Sequence, residues 1–399
     1  MQIDRRANFH EHFLRLLFGA FLSIGLTGCA TPQRSDPPQP FDQAVATVTD
    51  ALLKQAGPSQ GLLPFGPAQP NKQVIVLDPT LDAGSGQQTA GTQRLDRGIA
   101  AHAAVNFKQI ETLAFKAANL PRAQYLLAGT LAREDAGLRI SLALVNLKDG
   151  TVAAQASTLA RTNDVDMTPL AYDRDSPVLL KDEVVEGLVR TSRAARGEKA
   201  DAVYLAHMAT GTVIHDANQL YNAGQYREAL AQYRRASATP GGDQIRVLNG
   251  IYLTTLKLGQ SAEAEDAFGR VAAYGIAHNQ LGVKFLFNPG TTAFWSDPKV
   301  TSAYRMWLRQ IARQGGSSRV CMAIIGHSSK TGPEEVNDSL SLRRAQYIRQ
   351  RLVAESGQLA DRTRAEGQGS RHNLVGSGTD DVVDALDRRV EFSIVECGA

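Results

Sequence analysis

The chain has 399 residues, which suggests two or three domains, and its 43% apolar and 21% charged content is ordinary for soluble globular modules. A formal net charge of +3 is too close to neutral to argue for nucleic acid, and no basic stripe interleaved with aromatics accompanies it. Eight histidines and three cysteines show no metal-ligand spacing, so neither metal nor cofactor is expected.

At the start of the chain Arg5, Arg6 and Arg15 precede an apolar run, 16–26, that stops at Leu26-Thr27-Gly28-Cys29. This reads as a signal peptide over 1–28 with a lipobox. The run is shorter than the ~20 residues a permanent spanning helix needs, which favours cleavage before Cys29. In the lipoproteins this pattern resembles, the Cys carries several acyl chains, and several chains anchor stably where one does not. Ala30 follows Cys29 where an Asp would retain the protein at the inner membrane, so the resemblance implies the outer membrane. An ordinary secretory signal with an incidental Cys is the alternative; Arg5-Arg6 does not continue into a twin-arginine pattern.

Residues 29–65 are assigned to the lipidated Cys and a tether, whose Pro32, Pro37, Pro38 and Pro40 favour extended conformations of about 3 Å per residue. An α/β module follows over 66–165. Val74-Ile75-Val76-Leu77 reads as a strand, and apolar residues at helical spacing over 93–120 read as a helix ended by Pro121. A strand at 125–130 precedes a hairpin of 138–144 with 151–159 across a turn at Asp149-Gly150. The order resembles the α/β module of lipoproteins related to the curli-secretion channel subunit and to activators of penicillin-binding proteins. The loop from Asp82 to Gly91 follows a strand and precedes a helix, where backbone amides can cradle phosphate. It lacks the Gly-Lys-Ser/Thr ending of a P-loop, which favours a flexible connection.

A helical connector over 166–200 leads to 201–276, where the pairs Gly224/Gly259, Ala229/Ala264, Tyr233/Phe268 and Ala236/Val271 are each separated by 35 residues. The pattern resembles tetratricopeptide repeats, with Gly at the inter-helix turn and small Ala where helices approach. Such an array offers a groove for a protein partner or serves as a helical spacer.

The last part of the chain, 277–399, carries its most specific pattern: Ile324-Ile325-Gly326-His327-Ser328-Ser329, Asn337, Leu340-Ser341-Leu342-Arg343-Arg344-Ala345, Gly367-Gln368-Gly369, and Asp387-Arg388-Arg389-Val390-Glu391. This resembles the OmpA-like domain, which holds peptidoglycan. The fold class expected for the whole is therefore multidomain α+β: an N-terminal α/β module, a short helical repeat array and a C-terminal βαβαβ mixed sheet.

The resemblance implies a pocket for the free end of diaminopimelate, which presents a carboxylate and an ammonium together. Arg344 matches the family's carboxylate-binding arginine, and a guanidinium can hold a carboxylate bidentately. Arg343 is the expected spectator. Ser328 and Ser329 stand where the family has Thr-Asp, so the ammonium loses its charged acceptor, at a cost on the order of 1 to 3 kcal/mol. Wall binding is then weaker, altered in ligand choice, or lost, and Ser329→Asp is expected to raise it. Asp338 or Glu334 could supply a nearby carboxylate. Asn337 matches the family's helix-head Asn, placed to cap backbone amides. Arg388 and Arg389 are assigned to the pocket rim or to internal ion pairing, with Arg389 among the candidate ligand contacts. If Cys29 is lipidated, Cys321 and Cys397 remain as an even pair in an oxidising compartment, and the resemblance places their strands antiparallel, so a disulfide is expected. His327, Ser328 and Ser329 are adjacent without a third orienting residue, which argues against catalysis. The expected function is an outer-membrane lipoprotein bound to peptidoglycan, with a protein partner at the repeats; the alternative is an envelope assembly or regulatory factor whose last domain binds protein.

Overall fold

The computed structural model describes residues 37–56, 72–288, 290–380 and 385–397. The signal peptide 1–28, Cys29, the segment 30–36 and residues 57–71 lie outside the described residues.

The N-terminal module is a twisted mixed sheet with helices on both faces. Helix α1 (Phe41–Ala56) precedes β1 (Gln73–Leu77), β2 (Leu81–Asp82), α2 (Ala90–Asn106), β3 (Ile110–Ala114), β4 (Tyr125–Glu134), β5 (Gly137–Asn146) and β6 (Val152–Ala160). The strand order is β3-β1-β4-β5-β6, with β1 parallel to both neighbours, β4 to β6 an antiparallel meander, and β2 paired to β4. Successive strand residues point to opposite faces. Ile75, Leu127 and Leu142 thus meet Phe41, Val45, Leu95 and Ile99 on one side. Val76, Leu126 and Ala143 meet Leu188, Tyr204 and Met208 on the other. Burial on both faces explains why 74–77 and 125–130 read as short apolar runs.

Three expectations are corrected here. Phe41–Ala56, placed in the tether, is helix α1, whose Phe41, Ala44, Val45, Val48, Leu52 and Leu53 are buried on the sheet. The helix expected over 93–120 ends at Asn106, and Ile110–Ala114 forms β3, parallel to β1. Phe107, Ile110 and Leu113 suit helical spacing as well as a short strand, and the vacant edge of β1 decides between them. The loop 82–91 is a buried joint. Asp82 accepts hydrogen bonds from the Ser85 amide (2.7 Å) and hydroxyl (2.6 Å), and the Gln88 amide donates to the Asp173 carboxylate (3.1 Å). A Cβ at Gly84 would fall 2.0 Å from the Leu374 carbonyl oxygen, so the C-terminal domain closes directly over this loop.

The connector contains α3 (Ala171–Asp175), α4 (Glu183–Arg193) and α5 (Ala202–Ala206). Two helix hairpins follow: α6 (Met208–Asn222) with α7 (Tyr226–Ser237), and α8 (Ile245–Lys257) with α9 (Ser261–Ala277). Gly224 (φ 75°) and Gly259 (φ 73°) make their turns in the left-handed region that glycine favours. Ala229, Tyr233 and Ala236, with their counterparts Ala264, Phe268 and Val271, are fully buried between helices.

The C-terminal part runs β7 (Leu281–Val283), α10 (Pro298–Thr301), α11 (Tyr304–Ser317), β8 (Cys321–Gly326), α12 (Glu334–Glu355), β9 (Thr363–Gly367) and β10 (Val390–Val395). Its sheet has the order β7-β10-β8-β9, with β8 parallel to β9 and β10 antiparallel to both β7 and β8. This is the expected βαβαβ mixed sheet with a closing strand, β10, inserted at its centre. Val395 lies opposite Cys321, and the Cys321–Cys397 disulfide joins the two strands, Cα to Cα 5.1 Å.

The free edge of β7 is taken by the connector. The Leu179 amide donates to the Gly282 carbonyl (2.9 Å) and the Lys284 amide to that of Pro177 (2.8 Å). Helix α11 packs on α9, where Trp307 stacks on Phe268 and gives its indole N–H to the Tyr252 hydroxyl (2.7 Å). One apolar core therefore runs from the helix hairpins into the C-terminal sheet, and the described residues form one compact unit.

Candidate functional site

Two glycines let α12 lie across the ends of β8 and β9. A Cβ at Gly326 would meet the Ser341 carbonyl oxygen at 2.1 Å, and one at Gly367 the Leu342 amide nitrogen at 2.7 Å. With the helix this close, the chain leaving β8 runs past its first turns. The backbone amides of His327 and Ser328 donate hydrogen bonds there to the carbonyls of Arg389 (3.0 Å) and Gly369 (2.9 Å).

Helix α12 carries Arg344 on its inner face, 5% exposed. Its guanidinium lies over the Phe287 ring, 4.9 Å from the centroid, and donates to the carbonyls of Thr291 (3.1 Å) and Asn288 (3.4 Å). Among the described residues it makes no ion pair. Burial pushes this guanidinium down to about 10. A guanidinium has five N–H donors, so two carbonyls leave it able to hold a carboxylate.

The carboxylate missing at position 329 arrives from elsewhere. The Ser329 hydroxyl donates to the carboxylate of Asp380, which also pairs with Arg388 (3.2 Å). Hydrogen bonds from Ser329 and Thr331 and the charge of Arg388 outweigh the effect of burial and hold Asp380 below its ordinary value. Asp380 sits at φ 55°, a left-handed conformation that aspartate tolerates better than most residues. Sequence reasoning missed it because it lies 51 residues from Ser329. The only signal was an acidic pair, Asp380-Asp381, in a glycine-rich segment.

The remaining candidates divide. Ser328 is buried on the cleft wall, and its hydroxyl has no hydrogen-bond partner among the described residues. Asn337 also lines the cleft, but its amide group donates to the Thr331 carbonyl (3.0 Å) instead of capping backbone amides. Glu334 and Asp338 are engaged by Arg371, at 3.2 and 2.7 Å, and so do not replace the missing acid. Arg389 is not a cleft residue: it is 3% exposed, bonds Glu391 (2.6 Å) and donates to the carbonyls of His372 and Leu386. Of the adjacent arginines, Arg388 is on the rim and Arg389 makes the internal ion pair. Arg388 ends a short 3-10 helix, Ala385–Arg388, and Arg389 leads into β10, so the change of backbone direction between them separates the two side chains. Cys29 lies outside the described residues.

Arg344, Ser328, Ser329, Asn337, Asp380 and Arg388 open onto one cleft of about 880 Å³, whose opposite wall is built by the connector and α8. A separate cavity of about 80 Å³ beneath the N-terminal sheet, lined by Asp78, Tyr204 and His215, has room for only a few waters, each of roughly 30 Å³. Among the described residues no group of three or more His, Cys, Asp or Glu could hold a metal ion, and no helix is long and apolar enough to cross a membrane.

The domain is thus a mixed four-stranded sheet with two long helices, in which Arg344 of α12 shares a cleft with Asp380 from the segment between β9 and β10. Residues 286–385 match the OmpA family, and the C-terminal domain is OmpA-like. Similar solved structures include an outer membrane protein from Borrelia burgdorferi B31, 24% identical with a TM-score of 0.23, covering 29% of this chain and 88% of that one. The peptidoglycan-associated lipoprotein from Burkholderia pseudomallei is 23% identical with a TM-score of 0.24, covering 29% of this chain and 89% of its own. The cell wall anchor of the type VI secretion system from Pseudomonas aeruginosa is 22% identical with a TM-score of 0.24, covering 29% and 78%. No curated protein matches this chain.

Proposed function

We propose that this chain is a cell-envelope protein that binds peptidoglycan noncovalently through its OmpA-like domain. Arg344 receives the carboxylate at the free end of diaminopimelate and Asp380, held by Ser329, receives the ammonium. The observation that carries this reading is a buried guanidinium without an ion-pair partner among the described residues, opening onto the same cleft as Asp380. A zwitterionic end group answers both charges at once, and the sequence departure at Ser329 is offset by an acid from another loop. The role proposed is binding.

In this proposal residues 1–28 are removed, Cys29 is lipidated and the outer membrane carries the anchor. The helix hairpins over 201–276 serve a protein partner. The test is co-sedimentation of the protein with purified diaminopimelate-type sacculi. Pelleting that Arg344→Ala abolishes and free diaminopimelate competes is the expected result. A folded, disulfide-bonded protein that stays in the supernatant would refute wall binding. That outcome would favour a protein ligand, for which the exposed apolar rim of Leu256, Trp295 and Val336 is suited.

A further inference from the structure

The cleft is larger than one amino-acid end group requires; small-ligand sites run from about 300 to 1,000 Å³, and this one is about 880 Å³. Much of its wall comes from outside the segment that matches the OmpA family, from Arg174 and Asp175, from Lys257, and from Lys284 just after β7.

Lys284 is 9% exposed. Its ammonium donates to the carbonyls of Arg174 (3.0 Å) and Asp173 (3.3 Å), and it makes no ion pair among the described residues. Two acids are adjacent: Asp173, which burial pushes up to about 7 and whose carboxylate accepts from the Gln88 amide (3.1 Å), and Asp175, which is engaged by Lys257 (2.8 Å), the Tyr221 hydroxyl (2.9 Å) and Arg174 (3.2 Å). An ammonium has three donors and is costly to bury without a counter-charge. Burial lowers this one to about 8. Among the described residues five cationic side chains line the cleft, Arg174, Lys257, Lys284, Arg344 and Arg388, against two acids, Asp175 and Asp380. Three of the four exposed large apolar side chains among the described residues, Leu256, Trp295 and Val336, are also here.

We propose that the cleft holds an extended anionic peptide: Arg344 and Asp380 take its zwitterionic end, and Lys284 takes a second carboxylate further along, while the apolar rim covers the backbone between. Resting on the reading above, this ligand is the wall stem peptide, whose acidic residue supplies the second carboxylate. A segment within a folded protein offers no zwitterionic end and answers only half of the cleft.

The chain's two tryptophans, Trp295 and Trp307, both line the cleft, so intrinsic fluorescence of the full-length protein reports occupancy. The probes are free diaminopimelate, a stem tripeptide ending in diaminopimelate, the same peptide with its second carboxylate amidated, and an unrelated acidic peptide with blocked ends. The expected result is that amidation weakens binding about tenfold, the range of a charge-assisted hydrogen bond. Lys284→Met should weaken the unmodified stem equally, abolish the difference between the two stem peptides, and leave free diaminopimelate unaffected; Lys284→Arg should retain the difference. Amidation without effect on the unaltered protein, while diaminopimelate binds through Arg344, would overturn the second subsite and leave the wall-binding function standing. Absence of any binding by diaminopimelate and stem would overturn both. Lys284-dependent binding of the blocked acidic peptide as tight as that of the stem would transfer the cleft to a protein ligand and overturn the assignment. The amidation arm needs no variant, so a folding failure of Lys284→Met leaves the decision intact.

Discussion

Asp380→Asn isolates the acid proposed to stand in for the one absent at position 329. Asparagine accepts the Ser329 hydroxyl as aspartate does and tolerates φ 55°, so the loop is retained and only the charge is removed. A hydrogen bond between charged partners contributes about 1.5 to 3 kcal/mol when buried. Asp380 has a side chain 47% exposed and shares its charge with Arg388, so screening places the loss near the low end, about 1 to 1.5 kcal/mol, or five- to twelvefold in Kd. Titration of the protein with diaminopimelate, followed by tryptophan fluorescence, measures it; diaminopimelate with its free-end amine acetylated should bind mutant and parent alike. Adding Ser329→Asp to Asp380→Asn returns a carboxylate to the first position and should recover most of the loss. Ser329→Asp alone sets a second carboxylate against Asp380, a repulsion between about 1 and 4 kcal/mol at 4 Å depending on the local dielectric. It should lower the unfolding midpoint, where the sequence by itself predicts only tighter binding. Unchanged affinity in Asp380→Asn, or no recovery in the double variant, would refute the role given to Asp380.

Cys397→Ser opens a link spanning 76 residues and should cost about 2 to 5 kcal/mol, read as a lower urea midpoint that reductant reproduces in the parent protein but not in the variant. Asp78, Asp96 and Asp173 are each pushed by burial from 3.8 up to about 7. Their folded values exceed the unfolded ones, so the native state holds extra protons between about pH 4 and 7 and these groups make stability fall as pH rises through that window. Glu391, held near 2 by His327 and Arg389 despite its burial, acts oppositely, its contribution being lost as pH falls from about 4.5 towards 2. Asp78→Asn should therefore flatten the decline in urea midpoint between pH 5 and pH 7.5, and an unchanged slope would exclude Asp78 as a source. Asp182→Ala removes both the cap on the Val185 amide (3.0 Å) and the partner of the largely buried Arg246 (3.0 Å). It should destabilise by about 3 kcal/mol, measured by denaturant unfolding.

The sequence by itself determined most of the local structure. Alternation over 138–144, meeting 151–159 across a turn at Asp149-Gly150, pointed to the hairpin, and glycines 35 residues apart pointed to the two helix turns, because both signals depend on short-range sterics and periodicity. The spaced motif around Gly326 and Arg344 identified the OmpA-like domain, because close approach of α12 to β8 and β9 admits glycine where a Cβ would collide. The assignment of α1 to the tether failed because Phe41 and Leu52 acquire meaning only when a sheet stands beneath them. The proposed site was half legible: Arg344 follows from its motif, whereas Asp380 and Lys284, 36 and 60 residues away, line the same cleft with no periodicity to announce them. Tertiary structure alone decided that Arg388 faces the cleft and Arg389 the interior, that the connector covers the edge of β7, and that one core joins the hairpins to the C-terminal sheet. Those outcomes depend on which surfaces meet, and burial, pairing and charge compensation between distant segments exist only once the chain has closed on itself.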